Sequence, residues 1–226
     1  MHGCGIIKFK GFEHYILKYD DNSDYPFAKL EYVYYQMALE ASITIMPSEL
    51  RSYGGITHFL TKRFDRIGND RIHIQTLAAI SPGSDTYEDI FMIMRKLNLP
   101  CEDIRQQYLR MVFNVLARNV DDHSKNFSFC MTPDGVWRLS PAYDLTYSVD
   151  LSAPTYMNRH SLTINGKNDD ITFQDLEIIA LNNDIQNYKS LINVVKDAVS
   201  KFDEFANTQG INQSLTGKIK ADFVRI

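Results

Sequence analysis

The stretch RNVDDHSKNFSFCMTPDGVWRLSPAYD, Arg118 to Asp144, decides how this chain is read. It opens on a dense polar cluster, Asp121, Asp122, His123, Lys125 and Asn126, and closes on Asp144. Between them, NFSFCM and VWRLSP read as strands on either side of a TPDG turn, the pattern of a β-hairpin. A strand that leaves the cluster and a strand that returns to it bring Asn126 and Asp144 to one end. Two oxygen-bearing side chains so placed suit a hard divalent cation such as Mg²⁺, which takes one or two protein oxygens and completes its shell from phosphate and water.

Asp121 and Asn126 stand in the D-x-x-x-x-N spacing of a phosphoryl-transfer loop. There the aspartate meets the acceptor hydroxyl and takes its proton, and the asparagine oxygen reaches the metal between the phosphates of ATP. Asp144 supplies the second, charged metal ligand. The competing reading is an acidic turn capped by its own side chains.

Lys18 ends the apolar strand HYILK, where its ammonium can point across a cleft at phosphates, with Glu31 on the next helix to orient it. LTKRFDR follows a second hairpin and can offer backbone groups to adenine, with Phe64 packing the ring and Asp65 meeting ribose hydroxyls. The alternative for this segment is a surface salt-bridge patch of Lys62, Arg63, Asp65 and Arg66. Gly3 and Gly5 are the only candidates ahead of the first strands for a loop over the phosphates.

The pattern outward from these motifs predicts an α+β chain. GIIKF and HYILKY read as strands around a KGFE turn. Leu30, Tyr34, Met37 and Ala41 recur at helical spacing after Pro26. PSELRSYGGITHFLTKRF reads as a hairpin turning at Gly54 and Gly55. From HIQTLAAI onward the pattern is read as helical, through TYEDIFMIMRKL and CEDIRQQYLRMVFNVLARN; in the last of these Ile104, Tyr108, Met111 and Val115 mark the apolar face of a central buried helix. SLTING is read as a further short strand, Thr172 as a helix cap, and the C-terminal end as all helical. The expected division is a small β-rich lobe over residues 1–66 and a larger helical lobe over 67–226.

A net charge of -4 excludes a global field for nucleic acid or anionic membrane. Cys4, Cys101 and Cys130 are odd in number and widely spaced, which suggests free thiols in a reducing compartment rather than a disulfide framework. No apolar run approaches the ~20 residues that span a bilayer, and the first residues lack a secretory signal's apolar stretch. A cytoplasmic protein is expected.

FNVLARNVDDHSKNFSF, RLSPAYDLTYS, KRFDR and SLTINGK together resemble the HipA family of bacterial serine/threonine kinases, toxins of toxin–antitoxin systems. The resemblance runs from Tyr15 into the C-terminal helices. It implies a two-lobed, protein-kinase-like fold related to lipid kinases, with ATP and Mg²⁺ as cofactors. By it, Asp121 matches the catalytic aspartate, His123 and Lys125 the supporting residues of the catalytic loop, and Asn126 and Asp144 the metal ligands. Lys18 matches the phosphate-binding lysine, Lys62 and Phe64 the adenine-facing backbone, Asp65 the ribose contact, and Tyr143 a residue packed beside the nucleotide. The family phosphorylates serine on protein targets, aminoacyl-tRNA synthetases among them, to arrest growth and promote persistence. Its usual partner is a small helix-turn-helix antitoxin, so DNA is expected only indirectly, through that antitoxin, and no membrane. Relatives carry a further N-terminal subdomain and a phosphate loop with a self-phosphorylated serine, neither of which is found ahead of Tyr15. A second expectation is therefore a kinase core that transfers little phosphate and serves as a binding module for an antitoxin or target. A small-molecule phosphotransferase is a third.

Overall fold

The computed structural model describes residues 13–20, 25–68, 70–154 and 157–226. The expected GIIKF strand, most of the KGFE turn, Gly3, Gly5 and Cys4 lie outside the described residues.

Strand β1 (Tyr15–Lys18) is followed by helix α1 (Phe27–Glu40), then β2 (Ser48–Tyr53) and β3 (Ile56–Lys62). The three strands form an antiparallel sheet in the order β1-β3-β2. Gly54 and Gly55 join β2 to β3 at φ of 59° and 84°. A two-residue hairpin loop that matches the twist of its strands requires positive φ at both positions, which glycine adopts without a Cβ clash. Helix α1 buries Leu30, Val33, Tyr34, Met37 and Ala38 completely. It packs on β2 and β3 on one side and on two C-terminal helices on the other. The Tyr34 hydroxyl also donates to the Ala117 carbonyl, so this helix ties the first sheet to the helical part of the molecule.

A two-strand ribbon, β4 (Arg66–Ile67) and β5 (Asp70–Arg71), leads into β6 (His73–Thr76) and the single-turn α2 (Leu77–Ile80). HIQT was expected to be helical and is a strand. It pairs antiparallel with β7 (Ser128–Met131), which pairs in turn with β8 (Trp137–Leu139). The short run HIQTLAAI carries no decisive period. Pairing to β7, more than 50 residues on, settles its first half, and the Thr76 hydroxyl, accepting from Ala79 N at 3.2 Å, starts the helical half.

Helix α3 (Tyr87–Lys96) begins at Thr86, whose side chain accepts from Asp89 N at 2.9 Å. Glu88 and Asp89 at its start and Arg95 and Lys96 at its end match the helix dipole. Helix α4 (Cys101–Leu116) follows Pro100 and is buried on every side from Gln106 to Leu116. Its polar residues are used as ties. Asp103 accepts from Nε and Nη2 of Arg138 at 2.9 Å each and from the Leu139 N–H at 2.9 Å, and Arg110 donates to Ser140 O at 2.6 Å. The β7–β8 hairpin is thereby fastened to the central helix. Burial pulls the Arg110 guanidinium down to about 10.

The chain ends in α5 (Phe173–Asn182), α6 (Tyr188–Ser200), α7 (Phe202–Thr208) and α8 (Gln213–Asp222). Thr172 and Asp175 form a reciprocal capping box at the start of α5. SLTING, expected as a strand, makes only the isolated bridges Thr86↔Thr163 and Ile164↔Lys167. Backbone bonds to Val120, Asp85 and Tyr87 hold it, and Asn165 and the adjoining Lys167 each donate to Asp175 at 2.8 Å. One buried cluster runs from Leu30 to Ile219. No helix among the described residues is long and apolar enough to cross a membrane.

Candidate active site

The β7–β8 hairpin fixes the site. Ser140 N donates to Ser128 O at 3.0 Å, and their hydroxyls meet at 3.1 Å. Extending that register by two residues on each side sets Asn126 near Ala142, with Asp144 just beyond. Asn126, Tyr143 and Asp144 line one crevice, together with Asn119, Asp122 and Phe127. The Asn126 amide nitrogen donates to Asp121 O at 2.8 Å. That bond turns the amide so that its oxygen remains for another partner, which an aspartate at this position could not do. Asp144 sits in the left-handed region, φ 53°, with its side chain nearly half exposed.

Lys18 reaches the same carboxylate from the opposite sheet. Its ammonium contacts Asp144 and lies 2.5 Å from Glu31. Burial works to lower the Lys18 pKa, but the two carboxylates, by charge and by hydrogen bond, outweigh it, and the net shift is upward. Burial raises the Glu31 carboxyl, and Lys18 offsets only part of that rise.

Beyond Lys18 opens a cavity of about 410 Å³, walled by Ile16, Ile45, Phe59, Ile74, Ala142 and Leu145 and also lined by Lys18, Glu31, Lys62, Phe64, Asp65, Tyr143 and Asp144. Its size and its mix of apolar walls with a few convergent polar groups are those of a small-molecule or cofactor pocket. Phe64 and Tyr143 stack with ring centroids 5.7 Å apart and 27° between planes. The Tyr143 hydroxyl donates to Lys125 O at 2.8 Å, pinning the Asp121–Asn126 loop to the AYD segment. The Lys62 N–H is spent on Pro47 O (3.0 Å) and the Arg63 N–H on His14 O (2.8 Å), while the Lys62 ammonium pairs with Glu13. Of this stretch, neither Phe64 nor Asp65 has a backbone partner for its N–H among the described residues.

Asp65 is already engaged. Arg63 donates to it at 2.7 and 2.6 Å, and Arg66 contacts it as well. Hydrogen bonding from Arg63 holds its carboxyl below the ordinary range, against a smaller opposing effect of burial. A ribose hydroxyl meeting Asp65 would share it with two guanidinium groups.

Asp121 projects into solvent, its carboxylate 3.7 Å from His123 Nε2. His123 Nδ1 is buried without a hydrogen-bond partner among the described residues. Lys125 is exposed, and the contact that fixes it is its carbonyl to Tyr143. The loop leans on α2, where Leu77 N donates to Phe127 O (2.8 Å) and Ala78 N to Ser124 O (3.1 Å).

No group of three or more His, Cys, Asp or Glu side chains among the described residues could hold a metal unaided. Asn126 and Asp144 offer hard oxygen donors at one crevice, which fits a divalent ion completed by phosphate oxygens and poorly fits a self-sufficient protein cage.

Comparison with known proteins now bears on this geometry. Residues 5–205 match the HipA-like C-terminal domain. The chain belongs to that family. A putative kinase, Y4mE, of Sinorhizobium fredii is 27% identical over 130 residues, 50% of this chain and 31% of that relative. HipA of Shewanella oneidensis, solved with HipB and operator DNA, superposes with a TM-score of 0.68 at 18% identity, over 92% of this chain and 56% of that one. The Helicobacter pylori proinflammatory kinase CtkA superposes with a TM-score of 0.55 at 14% identity, over 93% of each chain. The chain thus spans about half of the HipA chain it superposes on. Its fold is that of these two structures: α+β and kinase-like, with a small β-rich lobe and a larger helical one.

In this HipA-like chain the residues that brace the loop escaped the sequence reading. Asp122, 1% exposed, accepts from the Tyr87 hydroxyl (2.7 Å), from Ser161 N (2.8 Å) and through His160 Nδ1 (2.8 Å). Tyr87 in turn accepts from Asn114 at 2.9 Å. Only the adjacency of Asp122 to Asp121 hinted at this. The bonded pairs are 27 to 39 residues apart in sequence.

Proposed function

We propose that this chain is an ATP-dependent serine/threonine protein kinase of the HipA type. The observation that carries the reading is that Asp144 meets Lys18 in the lining of the 410 Å³ cavity and also lines the adjoining crevice with Asn126, beside the Asp121 loop. In this reading adenine enters the cavity against Phe64 and Tyr143, with Asp65 toward the ribose, and the phosphates run out toward Lys18. Lys18 holds them as a point charge, steered by Glu31. Asn126 and Asp144 would hold Mg²⁺, which would supply neutralisation of the charge on the phosphates. Asp121, exposed at the rim, orients the acceptor hydroxyl and accepts its proton as the new P–O bond forms and the bond to the ADP oxygen breaks. His123 and Lys125 support that loop. Phosphoryl transfer asks mainly for positioning and charge stabilisation, which the braced loop and the hairpin supply.

A protein substrate and a helix-turn-helix antitoxin are the proposed partners. The support for the antitoxin is that the Shewanella relative was solved with HipB and operator DNA; DNA would be reached only through such a partner. A role in growth arrest follows from the same kinship.

The test is transfer of γ-labelled phosphate from Mg·ATP by the purified chain, with Asp144→Ala alongside, and calorimetric titration of both with Mg·ATP. Transfer by the wild type and none by the variant is the expected result. Transfer that persists in Asp144→Ala overturns the metal assignment. A silent titration with folded wild-type protein overturns the kinase reading in favour of a binding module.

A further inference from the structure

Ser148 lies four residues beyond Asp144, in a segment that the site reading leaves without a role. Its hydroxyl oxygen accepts the backbone N–H of Asp121 at 2.9 Å, and the hydroxyl donates to Asn119 Oδ1 at 3.2 Å. The Asn119 amide nitrogen donates to Asn114 Oδ1 at 3.0 Å and, over a longer 3.4 Å, to the carbonyl of Asp144. A chain of two side chains therefore connects the backbone of Asp144 to the backbone of Asp121. Asn114 and Asn119 are each 2% exposed, which roots the chain in the core.

From the other side Asn126 donates to the Asp121 carbonyl at 2.8 Å. The backbone of Asp121 is thus gripped at both ends, while its carboxylate projects into solvent. The grip on the N–H side needs one small group that accepts and donates at once, which a serine or threonine hydroxyl does and an alanine cannot.

We propose that Ser148 is a positioning residue for phosphoryl transfer, setting Asp121 at its working distance from Asp144. The proposal rests on the reading of Asp121 as proton acceptor. Asp121 is exposed, so water can satisfy its N–H when Ser148 is removed. Stability then changes little, and what is lost is the fixed place of the carboxylate. A displacement of about 1 Å at a reacting group costs on the order of 100-fold in rate.

The experiment compares wild type, Ser148→Ala and Ser148→Thr in steady-state transfer from Mg·ATP to casein, with thermal melting of each. For Ser148→Ala the expected result is a kcat lower by roughly 10- to 100-fold, with KM for ATP and melting midpoint close to wild type. Ser148→Thr, which keeps the hydroxyl, recovers most of the rate. Wild-type kcat in Ser148→Ala, or an equal loss in both variants, overturns the assignment. So does a loss of kcat that tracks a fall in melting midpoint or in ATP affinity, which marks a structural role. A wild type without transfer overturns the kinase reading itself, and the Ser148 assignment with it; an active wild type separates the two.

Discussion

The ammonium of Lys18 rests on the carboxylate of Asp144, 126 residues away in sequence, and on Glu31 at 2.5 Å. In this arrangement the lysine occupies the carboxylate proposed for the metal, so Mg·ATP must draw it across to the phosphates. Truncating it has two opposed effects. Lys18→Met frees Asp144, and it also leaves the largely buried Glu31 without its cation. Phosphoryl transfer should fall at least ~100-fold, since a charge clamp on the phosphates is lost where charge develops. Affinity for Mg²⁺ without nucleotide should rise, read by calorimetry of the free ion. Unchanged metal affinity would show that the pair does not compete with the ion.

Phe64 and Tyr143 stack at 5.7 Å at the edge of the cavity. In the proposed reading their faces border the adenine, and Phe64→Ala removes one of them without touching the phosphate end. KM for ATP should rise roughly 10-fold with kcat nearly unchanged, because uniform binding is lost rather than an interaction special to the transition state. Equal falls in kcat and kcat/KM would place Phe64 elsewhere than beside the base.

Much of the site was legible because it is local. The hairpin that carries Asn126 and Asp144 is encoded within 27 residues by two apolar runs and a TPDG turn, with Gly135 at φ 84° closing it. Helices α1, α3 and α4 followed from their helical patterning, with Pro26 and Pro100 ahead of α1 and α4. What did not follow is set by distant pairing. HIQT becomes a strand because Ser128–Met131 lies beside it, and SLTING makes only isolated bridges, its backbone bonds going to separate segments at Val120, Asp85 and Tyr87. The bracing of the loop by Asp122, Tyr87, His160 and Asn114 is a meeting of four separate segments, which no spacing rule registers. Asp65 was read both as a ribose contact and as part of a salt-bridge patch; Arg63 and Arg66 do grip it, while Lys62 turns to Glu13.

Asp122 tests the division of labour between adjacent aspartates. Asp121 is exposed and serves the reaction in the proposed mechanism, whereas Asp122 is buried under three donors. Asp122→Ala leaves the Tyr87 hydroxyl, the His160 ring and the Ser161 N–H without their acceptor, and should cost about 3–5 kcal/mol of stability, the usual range for breaking a buried charged network. Asp121→Asn should cost under about 0.5 kcal/mol, as befits an exposed residue, while abolishing transfer. Urea unfolding of both variants checks the contrast, and equal destabilisation would refute it.

Asp175 gives the fold an acid limit. It is 2% exposed and accepts from Lys167, Asn165, the Thr172 hydroxyl and the Thr172 N–H. Burial alone would raise its carboxyl, but these four donors outweigh it and hold the pKa far below the ordinary carboxylate value. The native state therefore binds this proton less readily than the unfolded chain does. The stabilisation is fully present above the unfolded-state pKa of about 4 and is lost progressively as pH falls from there toward the depressed folded value. Asp175→Asn removes the charge and turns one acceptor into a donor facing Lys167 and Thr172. It should lower stability at pH 7 by about 1–3 kcal/mol and flatten the decline of stability between pH ~5 and ~2. Denaturant unfolding at a series of pH values measures both effects, and an acid slope identical to wild type would place the pH sensitivity on other carboxylates.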